Sequence, residues 1–316
     1  MADGLGDKLA APIVARVALI GLGLIGSSLA RVMRRKNIAH TIVAADASED
    51  VCARVRELAL ADDVTTSLEE AVRDADLVIL CVPVGASGAV AERIGPHLKA
   101  GAILSDVGSV KGAVVTAVQP HLPEGVHLLP AHPVAGTEYS GPDAGFATLF
   151  LNRWCIVTPP NGHTDEQALA TLVEVWRAAG SNVEVMAPQH HDLVLAITSH
   201  VPHLIAYNIV GTADDLEQVT ESEVIKFSAG GFRDFTRIAA SDPTMWRDVF
   251  LHNKDAVLDV LGRFNEDLAA LQRMIRWGDG QSLFDFFTRT RAIRRGIIAA
   301  GQETAAPDFG RRGSGE

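Results

Sequence analysis

The chain has 316 residues, too many for one small core, so one large and one medium domain are expected. Its 28 basic and 39 acidic residues leave a net charge of -11, which argues against nucleic acid or an anionic membrane surface as a partner. An anionic ligand would therefore need a local basic pocket set against the overall field.

From Val14 to about Ala187 short apolar runs alternate with helical stretches. RVALIGLG reads as a strand, IGSSLARVMRRK as a helix, TIVAAD as a strand and ASEDVCARVRELAL as a helix. DLVILCVP, AILSDVGS, VHLLPAHP, RWCIVTPP and NVEVM continue the strands, with helices between several of them. Near-continuous apolar strands in such alternation predict a parallel sheet covered on both faces. The expected fold is thus α/β, with a Rossmann-type doubly wound domain over residues 13–188. After Gln189 the strand signal stops, and residues 189–300 read as an all-helical substrate and dimerisation domain. Trp246, Val249, Phe250, Val257, Val260, Leu261, Phe264, Leu268, Leu271 and Ile275 recur at three and four, as one face of a long helix would require. The spare apolar surface suggests packing on a second copy, and a homodimer is expected. Residues 301–316 read as a disordered tail.

No apolar run is expected to approach the ~20 residues that span a bilayer. The opening MADGLGDKLAAP lacks the basic and apolar regions of a signal peptide. Cys52, Cys81 and Cys155 are an odd number without metal-like spacing, which suits a reducing compartment; Cys81 reads as a small buried hydrophobe. The expected location is cytoplasmic.

Gly21, Leu22, Gly23, Leu24, Ile25 and Gly26 form a G-x-G-x-x-G loop directly after a strand and opening a helix. Gly21 permits the tight turn, Gly23 lets the backbone approach a pyrophosphate, and Gly26 lets helix and strand pack closely. The helix N-terminus then receives the anion. Asp46 lies 20 positions beyond Gly26, placed to bind an adenosine ribose and repel a 2′-phosphate. No Arg or Lys follows it within ASED, so NAD is the expected cofactor. Asp46 could also cap the next helix. Val82 and Pro83, at the end of DLVILCVP, would underlie the nicotinamide side.

Two further strand ends, LSDVGSVKG and LLPAHPVAGTE, face the same crevice, because ligands of open α/β sheets bind at the carboxyl ends of strands. They bring Ser109, Lys111 and His132 together, and His132 is the side chain suited to proton transfer near neutral pH. Each has a plainer reading: Ser109 as a helix cap, Lys111 as a solvated cation, His132 as a buried histidine. His191, His200 and His203 match no common zinc spacing, and no metal is expected. Gly230 and Gly231 precede Arg233, Asp234 and Arg237. Arg233 and Arg237 are two cations one helical turn apart, Asp234 is placed to orient Arg237 at i,i+3, and arginine's planar fork suits a carboxylate.

GLGLIGSSLA, DVGSVK, HPVAGTE, TSHVPH and GFRDFTRIAASDPTMW, in this order and spacing, resemble the prephenate dehydrogenase (cyclohexadienyl dehydrogenase) family over about Val14 to Ile298. The resemblance implies NAD(P)-dependent oxidative decarboxylation of prephenate or arogenate in tyrosine biosynthesis. It implies that His132 is the catalytic histidine with Ser109 beside it, and that His203, Arg237, Thr137, Glu138 and Gly230 belong to the substrate pocket. A β-hydroxyacid dehydrogenase would call for a catalytic lysine in a helical glycine-rich motif, which is not found. A dinucleotide-sensing regulator would give no reason for His132 together with Arg237.

Overall fold

The computed structural model describes residues 11–137, 139–160, 165–217 and 229–299. Glu138 and the expected tail at 301–316 lie outside the described residues.

Six strands build the main sheet: β1 (Val14–Ile20), β2 (Ala39–Ala45), β3 (Asp63–Thr65), β4 (Leu77–Leu80), β5 (Ile103–Asp106) and β6 (His127–Leu128). All pairs are parallel, in the order β3-β2-β1-β4-β5-β6. The order reverses between β1 and β4, which leaves a crevice at their carboxyl ends. Successive residues of a strand point to opposite faces, and here both faces are apolar. Val17 and Leu19 pack with Leu29 and Met33 of α1 (Leu24–Lys36) and with Trp176 of α6 (Glu166–Ala178). Ala18 and Ile20 pack on the other side with Val84, Ile94, Val114 and Val118. Leu19 is completely buried, so its truncation to Ala would cost about 2–5 kcal/mol. β3 escaped the sequence reading because it is only three residues long and not strongly apolar.

The expected single strand VHLLPAHP is divided. Leu129 N still donates to Leu104 O at 2.9 Å, but Pro130 has no N–H to extend the ladder. Ala131 N turns to the Asp106 carboxylate at 3.3 Å instead. The chain thus changes partner, and β7 (Ala131–Pro133) pairs antiparallel with β8 (Trp154–Val157), itself parallel to β9 (Asn182–Val185). The later strands form a second sheet and do not extend the first.

Helices α2 (Glu49–Glu57), α3 (Leu68–Ala71), α4 (Ser87–Ile94) and α5 (Lys111–Val118) cover the sheet. Then α7 (Pro188–Leu195) passes through a π-turn at Ala196–His200 into α8 (Val201–Glu217). This run is long and apolar enough, by length and composition, to cross a membrane, with mean hydropathy 1.5, contrary to the expectation that no segment approached that length. It is not uniformly apolar, however: His191, Asp192 and His200 are buried in it and bind other parts of the same unit.

The long helix expected from Thr244 to Ile275 is two. After α9 (Gly230–Thr236), α10 (Pro243–His252) stops at Asn253, and α11 (Lys254–Trp277) begins beyond it. Asn253 is buried, with Nδ2 donating to the Asp192 carbonyl at 2.8 Å and to His200 Nδ1 at 3.0 Å. The chain divides into compact units at Val257/Leu258, well after the composition change near 188, because Trp246 and Val249 join the apolar layer under the sheet. The second unit holds most of α11 and α12 (Gly280–Ala299). It leaves Leu258, Leu268, Ile275, Trp277, Phe284 and Phe287 exposed.

Candidate active site

The glycine loop is shaped by what cannot fit there. Gly21 has φ +96°, and a Cβ on it would stand 2.6 Å from Cys81 O. A Cβ on Gly26 would stand 2.0 Å from Gly21 O, whereas one on Gly23 meets nothing within 4 Å. Gly23 therefore faces open space at the start of α1, and it caps that helix without a side chain. The first turn, Leu24, Ile25 and Gly26, presents an uncovered helix N-terminus suited to a pyrophosphate.

A cleft of about 480 Å³ opens from this point, lined by Gly21, Leu22, Gly23, Asp46, Val82, Pro83, Cys81 and Arg93 among others. Cys81, expected in the core, is half-buried in this wall. Asp46 accepts from Leu22 N at 2.9 Å and from Ser48 N at 3.0 Å. It does not cap α2; Ser48 does, accepting from Val51 N. Asp46 is thereby fixed against the glycine loop at the end of β2, where a ribose diol would lie. The residues present fit a dinucleotide.

In the middle of the short strand β7, His132 is only 8% exposed. Its Nδ1 is 2.8 Å from His191 Nε2, and His191 Nδ1 is 2.8 Å from Asp192 Oδ1. Asp192 also accepts from Lys111 N at 2.7 Å and Gly112 N at 2.8 Å. The carboxylate thus caps α5 from a distant helix, and the local N-cap is Val110 without a side-chain bond. Ser109 does not cap α5; it is half-buried on the preceding loop.

Lys111 is neither solvated nor open to a ligand. It is completely buried, with Nζ 2.5 Å from Asp106 Oδ2 and 2.7 Å from Ala131 O. A buried ammonium needs partners to offset lost hydration, and these two tie α5 to the residue before His132. Burial is the largest influence on both ends of the pair, pushing Lys111 down and Asp106 up. Burial first, then the positive charge His191 would carry if protonated and that of Lys111, holds the His132 ring well below the usual histidine range, which favours the neutral form with one ring lone pair free.

His203 Nδ1 donates to Ser199 O at 2.8 Å, and its ring stacks on Trp246 at 3.7 Å. Burial and then Arg237 push His203 down, so the structure does bring His203 and Arg237 within electrostatic reach. Gly230 opens α9, while Arg237 lies in the tighter turn after it. The expected Asp234–Arg237 orientation within one helix is not built that way: the helix ends first, and Asp234 sits 3.6 Å from Arg233. Thr137 Oγ1 accepts from Tyr139 N at 3.3 Å. The sequence alone gives no role to His191 or His200, marks none of Asp106, Asp192 or Asn253, and shows Trp246 only as part of an apolar helix face. The run HHD was the available signal, but nothing local says that its partners lie 59 to 81 residues away. Among the described residues no group of three or more His, Cys, Asp or Glu could hold a metal.

A cleft lined by the glycine loop, Asp46, Val82 and Pro83 and a buried histidine on β7 are parts that an oxidoreductase coupling hydride transfer to proton removal would need. Comparison narrows this. Residues 29–185 match the family model described as prephenate dehydrogenase, nucleotide-binding domain, and residues 187–289 match prephenate dehydrogenase, dimerization domain. A cyclohexadienyl dehydrogenase of Zymomonas mobilis is 45% identical over 88% of this chain and 94% of its own length. A prephenate dehydrogenase of Bacillus subtilis is 33% identical over 93% of this chain and 78% of its own. The crystal structure of prephenate dehydrogenase from Aquifex aeolicus, in complex with hydroxyphenyl propionate and NAD+, is 33% identical with TM-score 0.84, covering 90% of this chain and 98% of that one. Arogenate dehydrogenase from Synechocystis is 26% identical with TM-score 0.77, covering 89% and 99%. The chain belongs to the prephenate dehydrogenase family and is a dehydrogenase with a Rossmann domain.

Proposed function

We propose that this chain catalyses the NAD-dependent oxidative decarboxylation of prephenate to 4-hydroxyphenylpyruvate, in tyrosine biosynthesis. The observation that supports the reading best is His132, a buried neutral base on β7, just past Pro130 where the chain leaves the parallel sheet. Prephenate is a cyclohexadiene with a C4 hydroxyl and a C1 carboxylate. Bound in the cleft, NAD supplies the hydride acceptor. The glycine loop holds its pyrophosphate, Asp46 its adenosine ribose, and Val82 with Pro83 the nicotinamide side. His132 accepts the hydroxyl proton as the C4–H bond gives up its hydride. The C4 carbonyl that forms makes the ring an electron sink, the C1–carboxylate bond breaks, and CO2 leaves with an aromatic ring behind.

Ser109 lies beside this centre. Arg237, His203, Thr137, Glu138 and Gly230 hold the substrate, with Arg237 gripping a carboxylate against the net charge of -11. Lys111 acts from within, through Ala131, and does not need to touch the substrate. We assign the dinucleotide domain to 13–188 and the substrate domain to 189–300. The exposed apolar residues of α11 and α12 support a homodimer, and three free cysteines support a cytoplasmic location.

The second reading, an enzyme accepting arogenate as well, is favoured by the 45% identity to a cyclohexadienyl dehydrogenase. Pyruvyl and alanyl side chains differ at one carbon only. NAD reduction measured with prephenate and arogenate in parallel decides between them. Turnover of neither would refute both readings.

A further inference from the structure

His191 and Asp192 form a chain whose hydrogen-bond polarity follows from the backbone. The amides of Lys111 and Gly112 can only donate, and they use both oxygens of Asp192, at 2.7 and 2.8 Å. Asp192 is therefore an acceptor throughout, and its Oδ1, 2.8 Å from His191 Nδ1, takes a hydrogen from that ring too. A neutral His191 then has its lone pair on Nε2. That nitrogen is 2.8 Å from His132 Nδ1, which must carry a hydrogen to meet it. A neutral His132 is left with its lone pair on Nε2, the nitrogen away from the chain.

From this geometry we infer that His191 is a positioning residue for the reaction: anchored by Asp192, it fixes His132 in the tautomer whose Nε2 accepts the substrate proton. Neither residue needs to touch the substrate. The arrangement is the general one in which an outer partner selects which ring nitrogen of a working histidine is free. Both rings are held neutral by burial. The other titratable groups facing the pair are Asp106 and Lys111 from β5 and α5, Cys155 from β8, and His200 beyond Asp192. Among the described residues none of these four bonds to a ring nitrogen of His191, whereas Asp192 and His132 each do.

The inference rests on His132 being the proton acceptor, and the experiments separate the two. Nitrogen-15 spectra of the histidine-labelled full-length protein, assigned by loss of one signal pair in His132→Asn, should show His132 protonated at Nδ1 and bare at Nε2. Protonation at Nε2 would overturn the inference without any activity measurement. In parallel, His191→Phe removes the acceptor, while His191→Gln keeps an amide oxygen near the position of Nε2. His191→Phe should lose about 10²- to 10⁴-fold in kcat, the range spanned by loss of a base and loss of its orienting partner, with KM and NAD affinity little changed. His191→Gln should recover at least about tenfold of that loss, which a packing role alone would not give. Equal kcat in the two variants, or wild-type kcat in His191→Phe, overturns the positioning role. Should His191→Phe fail to fold, the wild-type spectrum decides. A His132→Asn variant that stayed active would instead bring down the reading on which the inference stands.

Discussion

The centre around His132 and the segment around Arg237 are built in opposite ways. His132, His191, Lys111 and Asp106 are buried and bonded to one another or to backbone, so each side chain has one orientation. Gly230, Arg233, Asp234 and Arg237 are exposed, on a short helix that ends just before Arg237. Proton transfer needs one nitrogen with a free lone pair in one place, and only a closed network of donors and acceptors enforces that. Attraction of a carboxylate needs charge at the right distance, which an exposed guanidinium supplies with less support. Buried precision and exposed charge should therefore fail differently when altered.

The largest expected effect lies in the part built from backbone alone. Gly26→Ala puts a Cβ at 2.0 Å from Gly21 O, so the loop must move and NAD binding should fall below detection in a fluorescence titration. Wild-type affinity in that variant would show that the loop yields more easily than its packing implies.

The buried network should also be sensitive to acid. Burial pulls His200 down to about 4, against about 6.5 for an unfolded histidine. Between those values the unfolded chain takes up a proton that the native site refuses, so stability falls as pH drops from 6.5 toward 4, by ~3 kcal/mol from this group. Urea unfolding at stepped pH should give a shallower acid loss for His200→Gln than for the wild type. Parallel curves would mean that His200 is not what sets the slope.

The exposed arginine should show a binding effect alone. Loss of a charge-assisted bond of roughly 1.5–3 kcal/mol raises KM about 10- to 100-fold, and kcat changes little if ground and transition states are gripped alike. Arg237→Gln should behave so, Arg237→Lys should recover part, and Arg233→Gln should change less, since its near partner is Asp234 at 3.6 Å. KM raised by Arg233→Gln but not by Arg237→Gln would reverse the two assignments. The smallest effect is at the adenosine end. Asp46→Asn removes the charge facing a 2′-phosphate, and the NADP to NAD ratio of kcat/KM should rise about tenfold, near 1.4 kcal/mol. An unchanged ratio would transfer the discrimination to another residue lining the cleft.

The parts legible in the sequence are those whose cause is local. The glycine loop, Asp46 and the apolar strands are written in consecutive residues, and His-Pro at a strand end pointed to His132. Pro130 carried the signal for the change of sheet, but a proline at a strand end reads the same whether the chain stops or changes partner. The burial of Lys111 is not legible in the sequence because it depends on Asp106 and Ala131 closing over it. Asp192 capping α5 from 81 residues away leaves no trace in the residues around either. Asn253 looked like one polar position on a long helix, and only its bonds to Asp192 and His200 explain the break.

The central claim is that His132 takes the substrate proton at an otherwise intact dinucleotide site. It is tested most directly by prephenate-dependent NAD reduction in His132→Asn at saturating substrate, with NAD affinity measured on the same sample. The account predicts unchanged NAD affinity and a kcat lower by about 10²- to 10⁴-fold. A kcat within a few-fold of wild type, with NAD bound normally, would contradict it.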